Sequence, residues 1–179
     1  VPVPHTGGRI YSDMHAMVLK YVLEGAAQVP YFTLLSRLFL RPLGMTHTFA
    51  RVPEVMIPHT VSCNGEHRIE GTRWLLRNDV LPGEVHDPKA RLLSDGGRDL
   101  CGHAGLFSTR ADMTRFCQAV LRGEVVSRET LRFMARSRTG HPLPEGGYSQ
   151  YLGCQCYVKH PQQFYSEIPA YMGMQAIGL

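Results

Sequence analysis

The chain has 179 residues, 44% of them hydrophobic and 19% charged, with 18 glycines and 12 prolines. That mixture can bury a core and excludes wholesale disorder, and no apolar run approaches the roughly 18 residues of a membrane span. The net charge of +4 comes from 19 Lys and Arg against 15 Asp and Glu, scattered along the chain, which argues against a nucleic-acid partner.

The first segment is turn-rich, with two prolines and then Gly7-Gly8. It has no basic region followed by an apolar core, so no signal peptide is expected, and the absent starting Met suggests a processed chain or a fragment. Ser12 or Asp13 is a good N-cap for a first helix. Met14, Met17, Val18, Tyr21 and Val22 recur at helical spacing, which predicts one buried face, and Gly25 is the expected stop. A second helix is expected over 31–40, carrying Leu34, Leu35, Leu38 and Phe39 and ending before Pro42. Residues 50–104 hold many prolines and glycines and little periodicity. Short strands or turns are expected there only near Val80 and Val85, and long irregular stretches are often functional. Thr109 caps a further helix with Met113, Phe116, Cys117, Val120 and Leu121 on one face and Gly123 after its end. Ser127 caps another through about Arg136, with Leu131 and Met134 facing inward. A loop over 139–147 leads into an expected strand over 148–158 with Gly153 inside it. Helices first and strands last is an α/β or α+β pattern.

Cys63, Cys101, Cys117, Cys154 and Cys156 form no C-x-x-C pair, and an odd count leaves one unpaired. In a strand, Cys154 and Cys156 share a face. Buried or idle thiols explain the five better than metal ligation does. The nine histidines show no metal-ligand spacing either, so no metal and no cofactor is expected. The three lysines, Lys20, Lys89 and Lys159, follow Met17, His86 and Cys156 by three residues, so residues 1–179 contain no S-x-x-K nucleophile motif. They contain no G-x-S-x-G elbow, Walker loop or dinucleotide fingerprint.

Three motifs stand out in order: Gly8-Arg9-Ile10-Tyr11-Ser12-Asp13 opening a helix; Pro42-Leu43-Gly44-Met45-Thr46-His47-Thr48 closing the next; and Gly83-Glu84-Val85-His86-Asp87-Pro88, followed by the 102–113 run Gly-His-Ala-Gly-Leu-Phe-Ser-Thr-Arg-Ala-Asp-Met. Over about residues 4–158 the chain resembles the serine β-lactamase-related family, which includes class C β-lactamases, penicillin-binding proteins and related esterases. The third motif is most similar to a penicillin-binding-protein-like branch. The resemblance implies a β-lactamase/transpeptidase-like α/β fold, here an incomplete domain. Residues 1–145 would be the helical subdomain, and 146–179 the first returning strands of an antiparallel sheet.

The resemblance also implies acyl transfer through an acyl-serine in the parent enzyme. Substrates would be β-lactams, D-Ala-D-Ala-type peptides or small esters. Tyr11-Ser12-Asp13 occupies the place of the family's Tyr-x-Asn. Tyr11 is then the proton-transfer residue, and Asp13 is the third motif residue. A phenol is a poor base at its ordinary pKa of about 10, so it needs cations, a helix N-terminus or concerted shuttling. Asp13 only accepts hydrogen bonds and adds a negative charge that disfavours a phenolate. The family's S-x-x-K lies upstream of the tyrosine motif and its Lys/His-Thr-Gly downstream. His5-Thr6-Gly7 and Arg138-Thr139-Gly140 spell similar triplets out of place, and Ser94-Asp95-Gly96 reads as a turn. The alternative is a catalytically inactive scaffold, or a subunit of a larger assembly.

Other residues read as structural. Asp87 caps a turn before Pro88, and His86 packs or bonds to backbone. His103 marks close backbone packing between glycines. Asp112 favours the helix dipole. The uncharged, proline-free stretch 151–158 is expected to be an exposed strand that a protein partner covers.

Overall fold

The computed structural model describes residues 12–62, 66–70, 73–77, 81–94, 99–136, 153–154, 156–158 and 177–178. The chain forms two compact units, 1–116 and 117–179.

In the first unit α1 spans Met14–Ala27. Its first N–H groups are met locally: Ser12 Oγ accepts from the Met14 N–H at 3.2 Å. The helix runs through Gly25 and stops when Gln28 adopts a left-handed conformation at φ 54°. Gly25 costs a helix about 1 kcal/mol relative to Ala, and Ala26 and Ala27 carry the helix past it. The stop comes instead from Pro30, which disfavours helical backbone at the residue before it. Only Met17 of the expected buried face is buried; Met14, Val18, Tyr21 and Val22 are each more than half exposed. The buried face expected from periodicity is thus not found beyond Met17, because periodicity does not supply a cover.

Next, α2 (Tyr31–Leu35) opens after Pro30 and passes into a π-helical turn, Ser36–Leu40, where the Arg41 N–H reaches the Ser36 carbonyl at 3.0 Å. The expected helix over 31–40 is therefore one run with a wider last turn. Gly44, at φ 64°, lets the chain leave it. The N-terminal amides of α2 are capped from a distance. Tyr31 N–H donates to Glu24 at 2.8 Å, and Phe32 N–H donates to Asp99 at 2.9 Å. Lys20 bridges both carboxylates, at 2.9 and 3.6 Å. Burial works to raise the Asp99 carboxyl, but the Phe32 and Leu100 N–H groups, Glu24 and Lys20 outweigh it and hold it below its ordinary value.

A 3-10 turn spans Glu54–His59. An antiparallel hairpin follows, β1 (Glu66–Glu70) with β2 (Arg73–Arg77), in register Glu66 opposite Arg77 and Glu70 opposite Arg73. The stretch read as irregular thus holds a hairpin earlier than Val80, which lies outside the described residues. Val85 is no strand residue. It is buried in a small core with Ala90 and Cys101, against which Ala104 and Phe107 pack. Then α3 spans Pro88–Leu93 and α4 spans Arg110–Arg122. Phe49 and Phe107 form an isolated antiparallel bridge, at 2.8 and 2.9 Å, that ties the second motif to the third.

The caps of α4 and α5 (Arg128–Met134) match the sequence. Thr109 Oγ1 accepts from the Asp112 N–H at 3.2 Å, and Ser127 Oγ from the Thr130 N–H at 3.0 Å. Gly123 ends α4 at φ 79°. The expected apolar face of α4 is not buried, since Met113, Cys117 and Leu121 are exposed while Asp112 and Ala119 are buried. Leu131 and Met134 of α5 are half-buried, as their inward reading requires.

In the second unit the described part of the strand expected over 148–158 is β3 (Tyr157–Val158), paired antiparallel with β4 (Ile177–Gly178). Residues 148–152 lie outside the described residues. Cys154 and Cys156 are not in a strand. They sit in a turn closed by Gly153 N–H to Cys156 O at 2.9 Å and Cys154 N–H to Met134 O at 2.8 Å. Gly153 is required there, because a Cβ would strike the Met134 carbonyl oxygen. Burial first, then Cys154, push the Cys156 thiol above its ordinary value, against the Gly153 N–H, which favours an idle thiol.

Candidate functional site

Of the two residues assigned to catalysis, Tyr11 lies outside the described residues. Asp13 stands at the N-cap of α1, but its side chain makes no cap bond there. Its carboxylate instead meets Lys89 Nζ at 2.5 Å. The Lys89 side chain is 55% exposed and that of Asp13 17%.

Lys89 is placed by the first turn of α3. Asp87 is the N-cap, and its Oδ1 accepts from the Ala90 N–H at 2.8 Å. Pro88 follows at the first helical position, where a missing N–H costs nothing. The Asp87 Oδ2 lies 4.0 Å from Lys89 Nζ. Its Oδ1 lies 3.1 Å from His103 Nε2. On the other side of that ring, Nδ1 lies 3.2 Å from Cys101 Sγ. Capping by Asp87 is as the sequence suggested. Its histidine partner is His103, however, and His86 is exposed rather than packed.

His103 is drawn in by Gly102. At φ 108°, Gly102 lies so close to α1 that a Cβ would come within 2.6 Å of the Ala16 carbonyl oxygen. Close packing between glycines was the expectation. The ring's bonds to Asp87 and Cys101 were not foreseen.

The order Cys101–His103–Asp87 is that of a thiol, an imidazole and a carboxylate. It does not make a nucleophile here. Cys101 is 4% exposed, and its thiol also lies 3.5 Å from the Ala104 carbonyl oxygen. The series reads as a part-buried brace that joins the loop before α4 to α3 and, through the exposed Lys89, to the mouth of α1.

Burial works to raise the Asp87 carboxyl. The Ala90 N–H, His103 and Lys89 outweigh it, so the group sits below its ordinary value. A lowered folded-state pKa adds stability that is complete above the unfolded value of about 3.9 and is lost as pH falls through the folded value. Asp87→Asn is therefore expected to flatten the acid limb of the stability profile. Urea midpoints between about pH 2 and 6 measure it, and a limb as steep as the wild type's would contradict the assignment.

A second node joins the second motif to the third. Asp112 is fully buried; its Oδ2 accepts from the His47 N–H at 2.8 Å and the Thr48 hydroxyl at 2.9 Å, and Arg115 donates to Oδ1 at 2.8 Å. Thr48 Oγ1 also meets Ser108 Oγ at 2.9 Å. The sequence assigned Asp112 only to the helix dipole. Among the described residues no group of three His, Cys, Asp or Glu gathers to hold a metal, and no helix is long and apolar enough to cross a membrane.

A family model described as Beta-lactamase matches residues 2–170. The chain belongs to the β-lactamase family. A putative D-alanyl-D-alanine carboxypeptidase of Escherichia coli K12 is 36% identical over 120 residues, which is 64% of this chain and 27% of that protein. Its counterpart in E. coli O157:H7 is 33% identical over 140 residues, or 72% of this chain and 31% of the relative. This chain thus spans under a third of the length of these curated relatives. Among solved structures, the octameric penicillin-binding protein homologue from Pyrococcus abyssi superposes with a TM-score of 0.54 at 15% identity, over 88% of this chain and 32% of that one. D-amino acid amidase from Ochrobactrum anthropi SV3 gives 0.53 at 18% identity, over 86% and 41%. The fold is β-lactamase/transpeptidase-like, and the family is that of β-lactamase-like serine hydrolases.

Proposed function

We propose that this chain is the tyrosine-bearing part of a β-lactamase-related acyl-transfer enzyme. Its substrates would be D-Ala-D-Ala-type peptides, β-lactams or small esters. The observation that carries the reading is that Lys89 joins Asp13 of the first motif to Asp87 of the third, with His103 of the third motif beyond it, in one cluster at the mouth of α1.

In this reading a serine hydroxyl outside residues 1–179 attacks the substrate carbonyl. Its proton passes by way of Tyr11 to the leaving nitrogen or oxygen as the acyl bond breaks. Water, activated through the same phenol, then releases the acid and frees the serine. Asp13 flanks Tyr11 as the third residue of its motif. Residues 1–145 belong to the helical subdomain and 146–179 to the first returning strands. The rest of the domain, or a protein partner, covers the exposed apolar surface. The apolar face of α1 is part of that surface.

The assay is steady-state turnover of the full-length protein on a D-alanyl-D-alanine peptide, a chromogenic cephalosporin and a chromogenic ester. Turnover of at least one is the expected result. No turnover of any would favour the inactive scaffold instead.

A further inference from the structure

We propose that Cys154 and Cys156 form a reversible disulfide, a modification site at the C-terminal end of α5 whose co-reactant is a low-molecular-weight disulfide such as oxidised glutathione. The two thiols are free and stand on one turn. The carbonyl oxygen of Met134, the last residue of α5, gathers both cysteines: it accepts from the Cys154 N–H at 2.8 Å and from the Cys156 thiol at 3.5 Å. The 2.9 Å bond from the Gly153 N–H to the Cys156 carbonyl oxygen closes the turn across Cys154. Cys156 Sγ lies against Gly153, 2.9 Å from where a Cβ would stand. Along an extended chain, Cα atoms two residues apart are about 7 Å apart. A turn closed in this way shortens that separation into the range of roughly 4.4–6.8 Å that disulfides bridge, so rotation of the side chains makes the bond. Cys154 is also among the causes that hold the Cys156 thiol up, and an uncharged disulfide removes that repulsion.

Exposure sets the order of events. Cys154 is half-buried, whereas Cys156 is 5% exposed and its raised thiol is a poor first attacker. The Cys154 thiolate attacks one sulfur of the small disulfide, whose S–S bond breaks, and the first glutathione leaves as a thiolate and takes up a proton. The Cys156 thiol then loses its proton, and its sulfur attacks that of Cys154 in the mixed disulfide. The second glutathione leaves in the same way. Two protein thiols are oxidised, and one glutathione disulfide is reduced to two thiols. The product lacks the S–H that Cys156 gives to Met134, so of these two donors that carbonyl keeps the Cys154 N–H.

The test equilibrates the full-length protein in glutathione buffers from fully reduced to fully oxidised, quenches it in acid, alkylates the free thiols and digests with trypsin. Cleavage after Arg138 and Lys159 gives a peptide that holds Cys154 and Cys156 and no other cysteine. The expected oxidised product is that peptide without alkyl groups, two hydrogens lighter than the dithiol and returned to it by dithiothreitol. Cys156→Ser is expected to lose the internal bond and accumulate the glutathione adduct on Cys154, while in Cys154→Ser the Cys156 thiol stays reduced. Two alkylated thiols in the wild-type peptide in every buffer overturn the proposal. So does a wild type that stops at the glutathione adduct, or a bond from either cysteine to any other position. The wild-type readout decides the matter even where a variant fails to fold.

Discussion

Tyr11→Phe is expected to lower the turnover of the full-length enzyme by about 100- to 10,000-fold, the usual contribution of a general acid–base group. Phenylalanine keeps the ring and its packing and removes only the hydroxyl that carries the proton. The Michaelis constant should move far less than turnover, because the lost interaction belongs to the transition state rather than to substrate binding. Asp13→Asn is the companion variant. It brings the motif back to the family's Tyr-x-Asn and removes the carboxylate that lies 2.5 Å from Lys89, while Asp87 stays beside the ammonium at 4.0 Å. Steady-state kinetics on a chromogenic ester or cephalosporin measure both. Unchanged turnover in Tyr11→Phe would reduce Tyr11 to a packing residue.

Asp112→Ala should be the most damaging change to stability among the described residues, lowering it by about 3 kcal/mol. Two donors, the His47 N–H and the Thr48 hydroxyl, converge on one carboxylate oxygen that is fully buried. Removing that oxygen takes the acceptor from a part-buried backbone amide and from the buried Thr48 hydroxyl, and each unmet buried group costs about 1–3 kcal/mol. Thr48 retains Ser108, and the half-exposed Arg115 regains water, so the total stays well below that of an isolated buried charge. Asp112→Asn keeps one acceptor oxygen and should cost clearly less. Urea unfolding decides it. A loss below about 1 kcal/mol in the alanine variant would mean that water enters and replaces the carboxylate.

How much of this was legible in the sequence follows from the range of each interaction. The caps at Asp87, Thr109 and Ser127 were readable because cap and amide lie three residues apart, and all three form. The faces of α1 and α4 were readable as faces but not as buried ones, since periodicity says nothing of what lies opposite. The β1–β2 hairpin was missed because its segments, Glu-His-Arg-Ile-Glu and Arg-Trp-Leu-Leu-Arg, are charge-flanked and lack clean alternation. A two-residue connection and opposite charges at register positions Glu66/Arg77 and Glu70/Arg73 were the available signal. At the site, Tyr11 and Asp13 were named from motif order. The ion pair with Lys89, 76 residues further on, had no local signature. Nor did the contact of His103 with Asp87, because only the fold brings position 103 to position 87.

The family assignment and the missing S-x-x-K together make the location of the nucleophile the most direct test. The full-length protein is incubated with a fluorescent penicillin, digested, and the labelled peptide mapped by mass spectrometry. The account predicts a single acylated serine outside residues 1–179, in an S-x-x-K segment, with labelling slowed by Tyr11→Phe, and no adduct on a serine of the 179-residue chain. A labelled serine inside residues 1–179 would contradict it.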